Sequence, residues 1–203
     1  MRLIAVALLC VVQMLSAQDS NLLDKLSERI SKSCLELDYR YSVRISGINN
    51  VGQGHLQCQG YMWKMVGNGV EMYCDSSALW VVDPVNKEVV IEPAEVEEKV
   101  QLQTNPAVLF VRMKELFVVR DSRNTSQGTV LYILAPKQKG DIDYFNVEIA
   151  EADQSLRNAV ISLADGTLIK IEVSSMKLTP VRPVKDFRPL TAFDSSWIVT
   201  DLR

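Results

Sequence analysis

The chain opens on an unbroken apolar run, Leu3 to Val12, preceded by Met1-Arg2 and followed by Gln13-Met14-Leu15-Ser16-Ala17. Ten apolar residues fall far short of the roughly 20 that a membrane-spanning helix requires. The single positive charge in front and the small Ala17 behind fit a cleaved secretory signal, residues 1–17, with Gln18 as the first mature residue. Cys10 follows Leu9 inside the apolar run, where a lipid-anchoring signal would place a small residue. Leu22, Leu23, Leu26 and Ile30 then recur at spacings of three and four. With Asp19-Ser20-Asn21 to cap it, that stripe predicts a helix to about Cys34, with Asp24, Lys25, Glu28 and Lys32 on its wet side.

The period then drops to two. Leu37, Tyr39, Tyr41, Val43 and Ile45 alternate with Asp38, Arg40, Ser42, Arg44 and Ser46, the pattern of a strand with one buried face. Gly47 to Gly54 reads as a turn region. Further short strands are expected around Leu56–Met65, Val70–Cys74, Leu79–Val82, Glu88–Ile91, Thr129–Ala135, Tyr144–Ala150, Arg157–Leu163 and Leu168–Val173, joined by Gly, Asn, Asp and Pro. Gly67-Asn68-Gly69 is a hairpin turn rather than a phosphate loop, because no Lys-Ser/Thr pair follows it. A helix interrupts the strands from Asn105 to about Val118, where Asn105 caps, Pro106 starts, and Leu109, Phe110, Met113, Leu116 and Phe117 form one broad apolar face. Pro180, Pro183 and Pro189 punctuate an extended tail, and Trp197-Ile198-Val199 can add an edge strand. The expectation is an α+β chain, mainly β, of about nine antiparallel strands and two helices. Its sheet should curve with the helices over its concave side, around either a solid core or a ligand cavity.

Residues 18–203 suit one domain. Losing Arg2 with the signal moves the net charge from −3 to −4. Mild acidity, with Lys and Arg dispersed, excludes nucleic acid as the expected partner. No later stretch is apolar enough to span a membrane as a helix. A catalytic triad would have to use His55, the one histidine, and no Gly-x-Ser-x-Gly elbow accompanies it. Asp75, Asp83, Asp141 and Asp143 sit in turns, where acidic residues form turns. No catalytic constellation, metal site or cofactor is therefore expected. Of Cys34, Cys58 and Cys74, one pair could close a disulfide, with Cys58 and Cys74 in neighbouring predicted strands, or all three could be buried thiols.

The stretch Gly60-Tyr61-Met62-Trp63-Lys64, followed by Glu71-Met72-Tyr73-Cys74-Asp75-Ser76-Ser77-Ala78-Leu79-Trp80-Val81-Val82-Asp83-Pro84, resembles the signature of the periplasmic lipoprotein carrier (LolA) family, in the version of Bacteroides-like bacteria. Asn105-Pro106-Ala107-Val108-Leu109-Phe110 is similar to the segment that opens that family's lid helix. Tyr132-Ile133-Leu134-Ala135-Pro136, Asp165-Gly166-Thr167 and Asp201-Leu202-Arg203 extend the likeness over nearly the whole mature chain.

The resemblance implies an unclosed half β-barrel lidded by α-helices. It also implies a monomeric, non-enzymatic periplasmic carrier that shields lipoprotein acyl chains. An inner-membrane lipoprotein-releasing transporter and an outer-membrane acceptor would be its partners. The candidate acyl cavity and lid residues are Tyr41, Val43, Trp63, Trp80, Val82, Leu109, Phe110, Met113 and Phe117. An envelope sensor or interaction module of the same fold is the alternative. In place of the family's turn glycine stands Ser76, and its latch arginine has no counterpart beside Met65-Val66; Arg112 and Lys114 flank the lid face and are the candidates to replace it.

Overall fold

A computed structural model describes residues 22–94, 107–190 and 192–203. The proposed signal peptide, the first mature residues and Asn105-Pro106 lie outside them. Residues 22–31 form the N-terminal helix, with Leu23, Leu26 and Ile30 buried and Asp24, Lys25, Glu28 and Lys32 exposed, as their spacing requires. The helix stops short of Cys34, because Cys34 begins β1 (Cys34–Ile45), opposite Thr179. The period-two pattern thus takes hold one turn earlier than expected.

β2 (Ile48–Gln59), β3 (Met62–Gly67), β4 (Val70–Cys74), β5 (Ala78–Asp83) and β6 (Glu88–Pro93) continue the chain as an antiparallel meander. The 47–54 region is mostly strand. Only Ser46 and Gly47 turn, with φ of 47° and 85°, while Gly52 and Gly54 sit within β2. The expected single strand over residues 56–65 is broken at Gly60, whose φ of 56° reverses the chain. After the helical insertion come β7 (Phe117–Asn124), β8 (Thr129–Pro136), β9 (Ile142–Ala150), β10 (Leu156–Leu163) and β11 (Leu168–Thr179), also antiparallel. β12 (Ile198–Asp201) pairs parallel with β6.

Among the described residues one sheet of twelve strands results, in the order β12-β6-β5-β4-β3-β2-β1-β11-β10-β9-β8-β7. The long β1 joins the two meanders by pairing with β2 on one side and β11 on the other. The outer strands β7 and β12 are not paired with each other, so the sheet is curved but not closed into a barrel. β7 was not anticipated because Val118-Val119-Arg120-Asp121-Ser122-Arg123 shows no alternation; it is an exposed edge strand with a bulge between Val119 and Asp121. β11 runs six residues past the expected end at Val173, to Thr179.

The main core fills the concave side. The N-terminal helix contributes Leu23, Leu26 and Ile30, and the sheet contributes Leu35, Leu37, Leu56, Trp63, Tyr132, Leu134, Phe145, Val147 and Ile161. A second, smaller cluster lies on the back of the β4–β6 region: Tyr73, Ala78, Val82, Val89 and Ile91, packed by Trp80, Phe193 and Trp197. The alternation along β5 explains the division, since Leu79 joins the main core while Ala78, Trp80 and Val82 join the back cluster. No helix among the described residues is long and apolar enough to cross a membrane.

Candidate functional site: the concave face and its helical insertion

Where the sequence predicts one helix to Val118, the described chain makes two short helical turns, Ala107–Val111 and Met113–Leu116. They break at Arg112, and Phe117 already has the extended backbone of β7. Leu109, Phe110, Met113 and Phe117 are nonetheless all buried in the main core. The centre of their seat is Phe145, with ring centroids 5.8 Å from Phe110 and 5.2 Å from Phe117. Phe145 was findable, because Phe145, Val147 and Ile149 alternate toward the interior.

Polar contacts also hold the insertion. Lys137 donates from its backbone to the Leu116 carbonyl at 2.8 Å and from its ammonium to the Lys114 carbonyl at 2.7 Å. Lys114 reaches Asp24 of the N-terminal helix at 3.0 Å, and Arg112 reaches Glu115 within the insertion at 2.7 Å. Lys64 points to the back face, 5.1 Å from the Tyr73 ring centre.

The nine candidate residues therefore divide. Trp63, Leu109, Phe110, Met113 and Phe117 lie together in the main core, and Tyr41 packs against it. Val43, half-buried in the same alternation, is flanked by Ile169 and Asn50. Trp80 and Val82 face away, into the back cluster with Phe193 and Trp197. The reason is parity: Tyr73 pairs with Trp80 across β4 and β5, while Met72 and Cys74 face the main core.

Two open depressions, of about 420 and 400 Å³, lie over β1 and β2; Tyr41 with Gly52 borders the first, Tyr39 with Gly54 the second, and Asn68 both. Burial, and then the neighbouring Tyr41, push the Tyr39 phenol up to about 12.

Cys34, Cys58 and Cys74 are free thiols. Trp63 pairs with Cys58 on one side and Cys74 on the other, so a whole strand separates the two cysteines. Two strand spacings amount to roughly 9.5 Å, beyond the roughly 7 Å that a disulfide can bridge between Cα atoms. Burial raises the Cys58 thiol far above its usual range. His55 makes a 2.7 Å contact with Asp38, its cross-strand partner, and the Ser174 hydroxyl donates to the Asp38 backbone carbonyl at 3.0 Å. No group of His, Cys, Asp or Glu among the described residues could hold a metal ion.

A feature that sequence reading missed is the strap formed by residues 180–190 and 192–197, which crosses the back of the β1–β6 meander. Arg182 exchanges hydrogen bonds with Gln59 through its backbone, 2.7 and 3.1 Å, and its guanidinium pairs with Glu36. Phe187 is completely buried against β3. Arg188 reaches Asp75 at 2.6 Å, and Phe193 meets Trp197 edge-to-face at 5.0 Å beside Trp80. Asp75, buried, also accepts bonds from the Ser77 hydroxyl and from the Ser77 and Ala78 backbone N–H groups. Burial opposes ionisation of Asp75, yet the bonds from Ser77, Ala78 and Arg188 outweigh it and hold its pKa at about 2. The turn they make carries Ser76 at φ 74°, a backbone state that favours glycine.

An open twelve-stranded half-barrel with a helical insertion on its concave side defines the structural class. No family model and no curated protein matches the chain. Among solved structures it is similar to an uncharacterized conserved protein from Thermus thermophilus, with 12% identity and a TM-score of 0.54, over 92% of this chain and 99% of that one. It is also similar to a LolA superfamily protein from Nitrosomonas europaea, with 10% identity, a TM-score of 0.45, and 84% and 97% of the two chains covered. A putative outer membrane lipoprotein-sorting protein domain from Vibrio parahaemolyticus is similar at 11% identity and a TM-score of 0.41, over 83% and 97%. At such identities the likeness to the Thermus thermophilus protein is one of fold.

Proposed function

We propose that the chain is a carrier of the bacterial envelope that shields acyl chains, those of lipoproteins above all, between its concave sheet face and the insertion at residues 107–116. The observation that supports this is the depth to which the insertion's apolar side chains are buried against the concave sheet face. Leu109, Phe110 and Met113 are almost wholly out of water, in a seat centred on Phe145. Apolar packing is non-directional, so alkyl chains can replace it at little net cost. Each buried methylene is worth about 0.8 kcal/mol, and an acyl chain of roughly sixteen carbons needs about 10 kcal/mol of such shelter. Met113 suits the exchange because an unbranched thioether repacks readily.

Binding of a fluorescent fatty acid to the parent and to Met113→Asp tests the reading. The parent should bind, and the variant should keep its sheet by circular dichroism while losing most of its affinity, since a carboxylate is costly to bury beside alkyl carbon. A parent that binds no acyl probe, or a variant that binds like the parent, would count against the site. Outright unfolding of the variant would make the insertion a fixed part of the core.

A further inference from the structure

One end of the concave face differs from the rest in lacking tall side chains. On β2 the inward positions there are Gly52 and Gly54, and Gly54 pairs with Gly67 of β3. Their partners across β1 are Tyr41 and Tyr39. A Cβ added at Gly52 would stand 2.6 Å from the Tyr41 Cζ, and one added at Gly54 would stand 2.9 Å from the Tyr39 hydroxyl oxygen. Both rings therefore lie down along the sheet, in the space that β2 side chains would take. The rings are 6.2 Å apart, and the Asn68 amide donates to the Tyr41 hydroxyl from the β3–β4 turn.

Glycine inside a strand weakens it, and such a cluster marks a place where another group approaches the backbone. Here the aromatic rings make up for the missing side chains while keeping the surface low. Deeper along the same strands Leu37, Leu56, Cys58 and Trp63 rise into the core. The helical turn Ala107–Val111 rests against β2, the strand that carries Gly52 and Gly54. Half-buried Tyr39, Tyr41, Met65 and Ile169 thus form an apolar shelf continuous with the seat of the insertion.

We infer that this tyrosine-on-glycine shelf is the mouth of the concave face, over which an acyl chain passes with its methyl end under the insertion and its polar head beside Tyr41 and Asn68. The inference rests on the carrier reading, and the occupant follows from continuity with that apolar seat. Only a low floor lets a chain slide between the sheet and the insertion without unpairing strands. The two hydroxyls and the Asn68 amide form the polar edge where a carboxylate or amide head would stop.

Protein labelled with nitrogen-15 and with carbon-13 in its Leu and Met methyl groups, titrated with stearate spin-labelled near its carboxyl end or near its methyl end, provides the test. Label near the carboxyl should broaden the backbone amides of Gly52, Gly54 and Gly67 several-fold more than label near the methyl, and the Leu109 and Met113 methyl groups should show the reverse. Gly52→Val, which lifts the Tyr41 ring into the path, should weaken binding about tenfold. If that variant does not fold, the label pattern in the parent decides alone. Binding with the three glycine amides untouched, or with the order reversed, overturns the mouth and leaves the carrier reading standing. A parent that binds neither probe removes both.

Discussion

Two covers close the two faces of this sheet, and they are built on different physics. The insertion at residues 107–116 packs on the concave face through Leu109, Phe110 and Met113. The strap at residues 180–190 and 192–197 covers the back of the first meander with directional bonds: Arg182 to Gln59 and Glu36, and Arg188 to the buried Asp75. Apolar contacts tell a segment how deep to sit but not in which register, whereas a buried carboxylate with four donors admits one arrangement. On the carrier reading proposed above, the first cover is the one that acyl chains would displace, and the second would stay in place.

The largest expected break in the comparison is at Asp75. Asp75→Ala should destabilise the protein by about 2–4 kcal/mol in urea unfolding, because it orphans two backbone N–H groups and Arg188. Since Arg188 is half-exposed, most of the loss should come from the turn, and Arg188→Ala should cost much less. A change of m-value rather than of midpoint would show that the strap opens separately.

Acid sharpens the same point. The folded pKa of Asp75, about 2, lies below its ordinary 3.8, so its contribution is fully present above the unfolded value and is lost as pH falls from about 4 toward 2. That contribution is about 2 kcal/mol. Asp75→Asn should flatten this part of the acid-unfolding curve, and an unchanged curve would place the linkage elsewhere.

The tryptophans report the two faces separately. Trp63 lies in the main core, while Trp80 and Trp197 belong to the back cluster. An acyl probe should shift emission in a variant that keeps Trp63 alone and leave a Trp63→Phe variant unchanged. The opposite result would exchange the roles of the two faces. The smallest effect is expected at Ser76, whose φ of 74° strains a residue with a side chain. Ser76→Gly should stabilise by up to about 1 kcal/mol, less the entropy that glycine loses on folding. Thermal unfolding measures it.

Local pattern made much of this architecture legible. The three-and-four spacing of Leu22, Leu23, Leu26 and Ile30 placed a helix there, and period two in Leu37, Tyr39 and Tyr41 placed a strand with its inward face. Gly67-Asn68-Gly69 is the turn expected, with Asn68 and Gly69 at φ of 52° and 80°. Glycine misled where its role was close approach. Gly52 and Gly54 look like turn residues in a sequence and are strand residues under tyrosine rings. Missing the reversal at Gly60 also brought Cys58 and Cys74 one strand too near each other.

What the sequence determined by itself was therefore local: the alternation of faces, the hairpin at Asn68-Gly69 and the apolar stripe of the insertion. Which face Trp80 serves, the burial of Asp75 against Arg188 and the parallel docking of β12 on β6 were decided only by the tertiary structure. The physical reason is that parity states that Trp80 and Leu79 point opposite ways but not which side receives the helices and which the strap. That choice is made by contacts more than a hundred residues apart, such as Asp75 with Arg188, and no local period carries them.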